Sequence, residues 1–260
     1  MISFPNEWND LAENELRFIA KVILNQTKEN AIESRPLIIK FILSERTKKI
    51  KLPVNFFNLL DPEEIVISLF PLLDFIVNKN DRTVSPSPLS IRKGIGGDAI
   101  CKPFDEITCG EYEDCEIAAA RFAEEKDMKH LAEIAAILFR PKGKEYIRYN
   151  ARADAYVTYP ADKKAPQFLK LPPEQLYSIF IWYAGCRSQL SLYFPDVYEK
   201  GKKNGVADPM VFTNTIHAGA GPKNGSRNQI RRMKLYEFLY DCNQEAIKAK
   251  ELAAEYEKMK

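Results

Sequence analysis

The chain has 260 residues, enough for one large or two modest domains with a proper core. Its 45% hydrophobic and 28% charged content is that of an ordinary globular protein, which excludes wholesale disorder. A net charge of +2 gives the whole chain no reason to bind nucleic acid, so any such activity needs a local basic patch.

The opening Met1-Ile2-Ser3-Phe4-Pro5-Asn6-Glu7-Trp8 lacks the basic and apolar regions of a signal peptide. The longest apolar run, residues 176–186, falls short of the roughly 18–20 residues that a membrane span requires. Cysteines stand at 101, 109, 115, 186 and 242; the number is odd and no CxxC occurs. Reduced thiols in a cytoplasmic compartment are the simplest expectation.

Residues 8–26 read as an opening helix with Leu11, Phe18 or Ile19, Val22 and Ile23 on its apolar face. Asp10 is its expected cap, and Trp8 folds back as a core anchor. Residues 36–43, rich in β-branched and aromatic side chains, predict a strand. Residues 50–57 are its expected partner, with Pro53 placing that second strand at an edge. Asp61-Pro62-Glu63-Glu64 marks a helix start: a capping acid, a first-position proline, and carboxylates at the positive end of the dipole. That helix runs to about Val77 with a kink at Pro71. Residues 78–99, with Ser85-Pro86-Ser87-Pro88 and Gly94-Ile95-Gly96-Gly97, predict a linker or extended arm.

Residues 108–141 are the best-specified stretch. Thr108 and Glu111 have the spacing of a capping box, and Tyr112, Cys115, Ala118, Ala119 and Phe122 then form one narrow apolar stripe. Asp127 caps a second helix carrying Leu131, Ile134, Ala135 and Leu138, which stops at Arg140-Pro141-Lys142-Gly143. The two make a helical hairpin. Residues 146–159 fit either an extended pair or an excursion. From Leu171-Pro172-Pro173 starts the most hydrophobic helix, apolar nearly all round through Ile181, Trp182 and Ala184, and ending near Phe194-Pro195. Such a helix belongs at the centre of the fold or under another chain. Asp208-Pro209 opens a short helix to about Ala218, and residues 219–225 form a glycine loop. Ser226 with Gln229 makes another capping box at the start of a last helix, broken near Met233. Beyond Ala246 its Lys, Glu and Ala predict a solvated or frayed end.

The expected fold is therefore mainly α (α+β), a helical core with a small N-terminal β-hairpin or short sheet. Its expected parts are an N-terminal lobe at 1–78, a linker or arm at 79–100 and a helical domain at 101–260, or one continuous domain.

Chemistry-bearing patterns are few. The one acid-x-x-His, Asp127 to His130, sits at a helix start where an acid serves as a cap, and His217 has Asn214 at that offset. Neither histidine belongs to a paired ligand set, so no metal and no cofactor is expected. Cys186 lies within the apolar helix, where a buried thiol is inert. His217, beside the glycine loop, is the more interesting histidine for an enzymatic role. Glu111, Glu113, Asp114 and Glu116 are best explained by interaction with a helix N-terminus plus solvation. One basic patch stands out: Lys223, Arg227, Arg231, Arg232 and Lys234, with no acid among residues 223–234. It suits phosphates, an acidic protein surface, or the acid-rich segments of the chain itself.

Three islands carry a family resemblance. The opening around Pro5 and Trp8, the box Ile107-Thr108-Cys109-Gly110-Glu111-Tyr112-Glu113-Asp114, and His130-Leu131 followed by Ala136-Ile137-Leu138-Phe139-Arg140-Pro141 together resemble poorly characterised phage and prophage morphogenesis proteins of the Bacteroidetes type. Cys109 and Tyr112 replace the more usual aromatic residues of that box. The resemblance implies a non-enzymatic assembly or structural protein, tail-assembly or chaperone-like, and brings no catalytic residues. The partners it implies are other phage structural proteins or further copies of this chain. Trp182 and Tyr183 on the apolar helix, with Lys223, Arg227, Arg231 and Arg232, are the expected partner-binding residues. The alternative is a nucleic-acid-associated protein using the 223–234 patch.

Overall fold

The computed structural model describes residues 4–26, 34–47, 73–78, 80–87, 99–101, 103–141, 147–150, 155–158, 161–198 and 211–258. In chain order the helices are α1 (Glu13–Leu24), α2 (Arg35–Thr47), α3 (Asp74–Asn78), α4 (Cys109–Glu125), α5 (Met128–Leu138), α6 (Ala161–Phe168), α7 (Pro173–Tyr193), α8 (Val211–Gly219), α9 (Arg227–Ile230) and α10 (Leu235–Lys258). Four short strands, β1 (Ala99–Cys101), β2 (Phe139–Pro141), β3 (Ile147–Asn150) and β4 (Ala155–Thr158), pair antiparallel as β1 with β2 and β3 with β4. The protein is mainly helical. Two compact units emerge: Met1–Pro86 with Pro172–Cys186, and Ser87–Leu171 with Arg187–Lys260. The stretch Pro172–Cys186, placed by sequence in a 101–260 domain, thus groups with the N-terminal residues.

In the first unit, Trp8, Leu11, Leu16, Ile19, Ala20, Ile38, Ile39, Ile42, Leu73 and Ile181 form one buried cluster. Trp8 is the core anchor its position suggested, and its Nε1 donates to the Phe75 carbonyl at 3.0 Å. Helix α1 starts later than the sequence suggested. Residues Trp8–Asp10 are a 3-10 turn whose Asp10 carboxylate accepts from Asn6 N–H, and Glu15 accepts the Ala12 N–H.

Residues 36–43 are helix, not strand. Ile38, Ile39 and Ile42 are spaced one and four apart, which puts all three on the buried face of α2. Pro36 sits in the first turn, where a missing N–H costs no helical hydrogen bond. The β-branched composition that suggested a strand yields to this spacing and to tertiary packing. The bidentate pair between Arg46 and buried Glu15, at 2.7 and 2.9 Å, then ties α2 to α1. Its expected strand partner at 50–57 and the helix start at Asp61 lie outside the described residues, and before Ala99 the described residues contain no strand.

Residues 80–86, expected as part of a linker, are strapped down. The Asn9 side chain accepts from the N–H groups of Thr83 and Val84 and donates to the Asp81 carbonyl. Asn80 donates to the Ile181 carbonyl and Trp182 Nε1 to that of Thr83. Gly185 makes this approach to α7 feasible, since a Cβ there would come within 2.7 Å of Arg82 N and overlap its carbonyl.

In the second unit, the hairpin of α4 and α5 forms as its capping signals predicted. Thr108 accepts from Glu111 N–H, Glu111 accepts from Thr108 N–H, and Asp127 accepts from Lys129 N–H. Helix α5 is enclosed beyond the expected single face, with Ala132, Ala136 and Ile137 also buried. It packs against α4 and against α6, a helix the sequence reading missed because Pro166 signals a break. Of the stretch 146–159, residues 147–150 and 155–158 form the extended pair β3 and β4.

Candidate functional site

The basic run and the acid-rich start of α4 meet in the second unit. Ser226 and Gln229 cap α9 reciprocally, at 2.6 and 3.4 Å, and Gly225 precedes them at φ 79°, a conformation that favours glycine. The four-residue helix delivers the chain back across the N-terminus of α4. There Gly110 N–H donates to the Arg231 carbonyl at 2.9 Å and Cys109 N–H to that of Met233 at 3.0 Å. Leu235 N–H donates in turn to the Ile107 carbonyl at 2.9 Å, and Thr108 and Lys234 form an antiparallel bridge. Donors that a helix start leaves orphaned are thus satisfied by the backbone of the basic segment.

The side chains follow the backbone. Glu113, 1% exposed, accepts from Arg231 Nη1, from Arg227 Nη2 at 3.2 Å and from the Thr213 hydroxyl at 2.8 Å. Arg231 also reaches Asp114 at 3.2 Å. Solvation does not explain Glu113, as its place in an exposed acidic run had suggested: it is a buried ion held by two guanidiniums and a hydroxyl. Glu116, in contrast, lies beside Arg187, 2.8 Å away on α7. Arg227 keeps 42% of its side chain exposed, Arg231 only 17%, so the inner half of the patch belongs to the fold. Arg232 and Lys234 are exposed, and Lys223 pairs with Glu245 at 2.8 Å on the surface.

Trp182 and Tyr183, the expected partner-binding aromatics, are completely buried. Neither ring offers area to a partner. His217 is exposed on α8, one turn before a glycine loop that closes on itself through Gly221 and Gly225. His130 is buried between Glu133, 3.1 Å from Nδ1, and Glu125, 2.9 Å from Nε2. Burial by itself would lower its pKa, but the two carboxylates outweigh it and hold the value above the ordinary one. Burial pushes the Cys186 thiol up to about 12 and raises Cys109 and Cys115 as well, so these sulfurs stay protonated and unreactive. No cysteine is in a disulfide.

No protein-family model, curated protein or solved structure matches the chain. Beside the exposed charges, the second unit also presents aromatic and aliphatic side chains. On the second unit Leu192, Tyr193 and Tyr240 are each more than half exposed. The Tyr236 ring lies 6.2 Å from that of Tyr193 and 5.6 Å from that of Phe194, joining the C-terminal end of α7 and the start of α10 in one aromatic group. Among the described residues no helix is long and apolar enough to cross a membrane.

Proposed function

We propose that the chain is a non-enzymatic structural or assembly protein of a phage or prophage, acting by binding other proteins in the host cytoplasm or in the virion. The observation that carries this reading is the exposure of Leu192, Tyr193 and Tyr240 on the second unit, with the half-buried Tyr236 ring beside Tyr193, because aromatic residues of this type anchor protein interfaces. The engagement of Arg227 and Arg231 with Glu113 supports it too, because it turns charge inward that a polyanion would need. The motif set at Pro5–Trp8, 107–114 and 130–141 supports the phage assignment.

The test is co-purification of the tagged chain with the structural proteins encoded beside it, repeated with Tyr193→Ser and Tyr240→Ser. Capture that weakens about tenfold or more in the double variant is the expected result. No capture of any co-encoded structural protein removes the reading. Salt-sensitive retention of DNA that falls in Arg232→Ala and Lys234→Ala would favour the nucleic-acid alternative instead.

A further inference from the structure

The second half of α10 has a face with no counterpart in the described chain. The helix runs for 24 residues, but its buried positions, Leu235, Phe238, Leu239 and Asn243, all fall in the first half. Ties from its side chains to the body include Lys223 with Glu245 and Lys250 with Asp196. Every residue from Lys248 to Lys258 is exposed. Within that stretch Ala249, Leu252, Ala253 and Tyr256 recur at intervals of three and four, which puts them on one stripe. Leu252 is 55% and Tyr256 65% exposed, although an isolated helix of this length is marginal in water.

The charges beside the stripe say what covers it. In heptad terms Ala249 and Tyr256 take the a position and Leu252 the d position, so that Lys248 and Glu255 both fall at g. An antiparallel pair of identical helices packs a against d and faces g with g. Ala249 of each copy then packs on Leu252 of the other, and Lys248 of each faces Glu255 of the other, twice by symmetry. A parallel pair would set Lys248 against the neutral Ala253. The segment is therefore self-complementary in the isologous sense required of a two-fold dimer.

We infer that residues 248–258 of α10 form an antiparallel, two-fold helix pair with a second copy of this chain. The inference rests on the reading of the chain as a protein that works by binding proteins, and it names one partner. An overlap this short buries less than the roughly 1,200 Å² at the low end of stable interfaces, so the pairing is weak and concentration-dependent.

Sedimentation velocity over a wide concentration range tests it, with circular dichroism to verify that each variant folds. The wild type shifts from monomer to dimer, and Leu252→Asp stays monomeric. Lys248→Glu and Glu255→Lys each raise the dissociation constant about tenfold when alone, since each sets like charges face to face. Mixing the two variants restores association, because one helix then carries two acids at g and the other two bases. A wild type that stays monomeric, or a mixture no tighter than its components, overturns the pairing. A monomeric chain that still captures a co-encoded structural protein removes the pairing and leaves the proposed function intact. A dimer that captures none does the reverse.

Discussion

Arg82 in the first unit and Glu113 in the second are both buried ions, 4% and 1% exposed, yet they are satisfied in opposite ways. Arg82 Nη1 donates to the carbonyls of Trp8 and Leu11 at 2.7 and 2.9 Å, and among the described residues no carboxylate pairs with it. Burial therefore pulls its pKa below the ordinary value. Glu113 instead meets two opposite charges and a hydroxyl. Carbonyl dipoles fix a direction, so Arg82 locks the path of residues 80–86 over the turn at Trp8. Countercharges fix a balance, so Glu113 makes the basic segment inseparable from the start of α4. Losing Arg82 strands two weak acceptors, whereas losing Glu113 leaves two like charges near each other, Arg231 with only Asp114 among the described residues and Arg227 turned to solvent.

The largest effect is expected at Glu113. Glu113→Ala should cost about 3 kcal/mol in urea denaturation, the lower end for breaking a buried pair, because Arg227 can turn to solvent. Gly185→Ala should cost about 2–3 kcal/mol by the same measurement, since a Cβ has no room beside the Arg82 backbone. Wild-type stability there would mean that residues 80–86 do not lie on α7. Arg82→Met should cost about 2 kcal/mol, the value of two lost hydrogen bonds with no charge left behind. A loss larger than that of Glu113→Ala would break the contrast between dipoles and countercharges.

The smallest effect concerns a third way of holding a charge, at the rim of α4 and α5. His130 has a raised pKa, so its contribution is full below the ordinary value of 6.5 and is lost as pH rises through the folded value. His130→Gln should therefore lower the melting temperature at pH 5.5 and change it less at pH 8.5. An equal loss at both would assign the residue to packing instead of charge.

Local signals were readable in the sequence and distant ones were not. The capping box of Thr108 and Glu111 and the Asp127 cap each involve neighbours within a few residues and stand where they were expected, whereas the second helix ends at Leu138 and Pro141 lies in β2, short of the expected stop at 140–143. In residues 36–43 the β-branched composition favours a strand, while the spacing of Ile38, Ile39 and Ile42 is helical, and the spacing prevails. Glu113 was passed over because its partners are 114 and 118 residues away, and an acid near a helix start already had a sufficient local explanation. The visible hint was the pairing of an acid-rich run at 111–116 with an acid-free basic run at 223–234. That complement was among the readings of the patch, and the structure realises it for Arg227 and Arg231. Trp182 and Tyr183 show the converse: a helix apolar nearly all round buries these aromatics, which leaves them no surface to offer.

The basic segment is held to the fold through Glu113. A double-mutant cycle of Glu113→Gln and Arg231→Met, followed by urea denaturation, tests it most directly. A coupling of about 2 kcal/mol between the two positions is expected, and additivity within about 0.5 kcal/mol would mean that Glu113 does not hold Arg231.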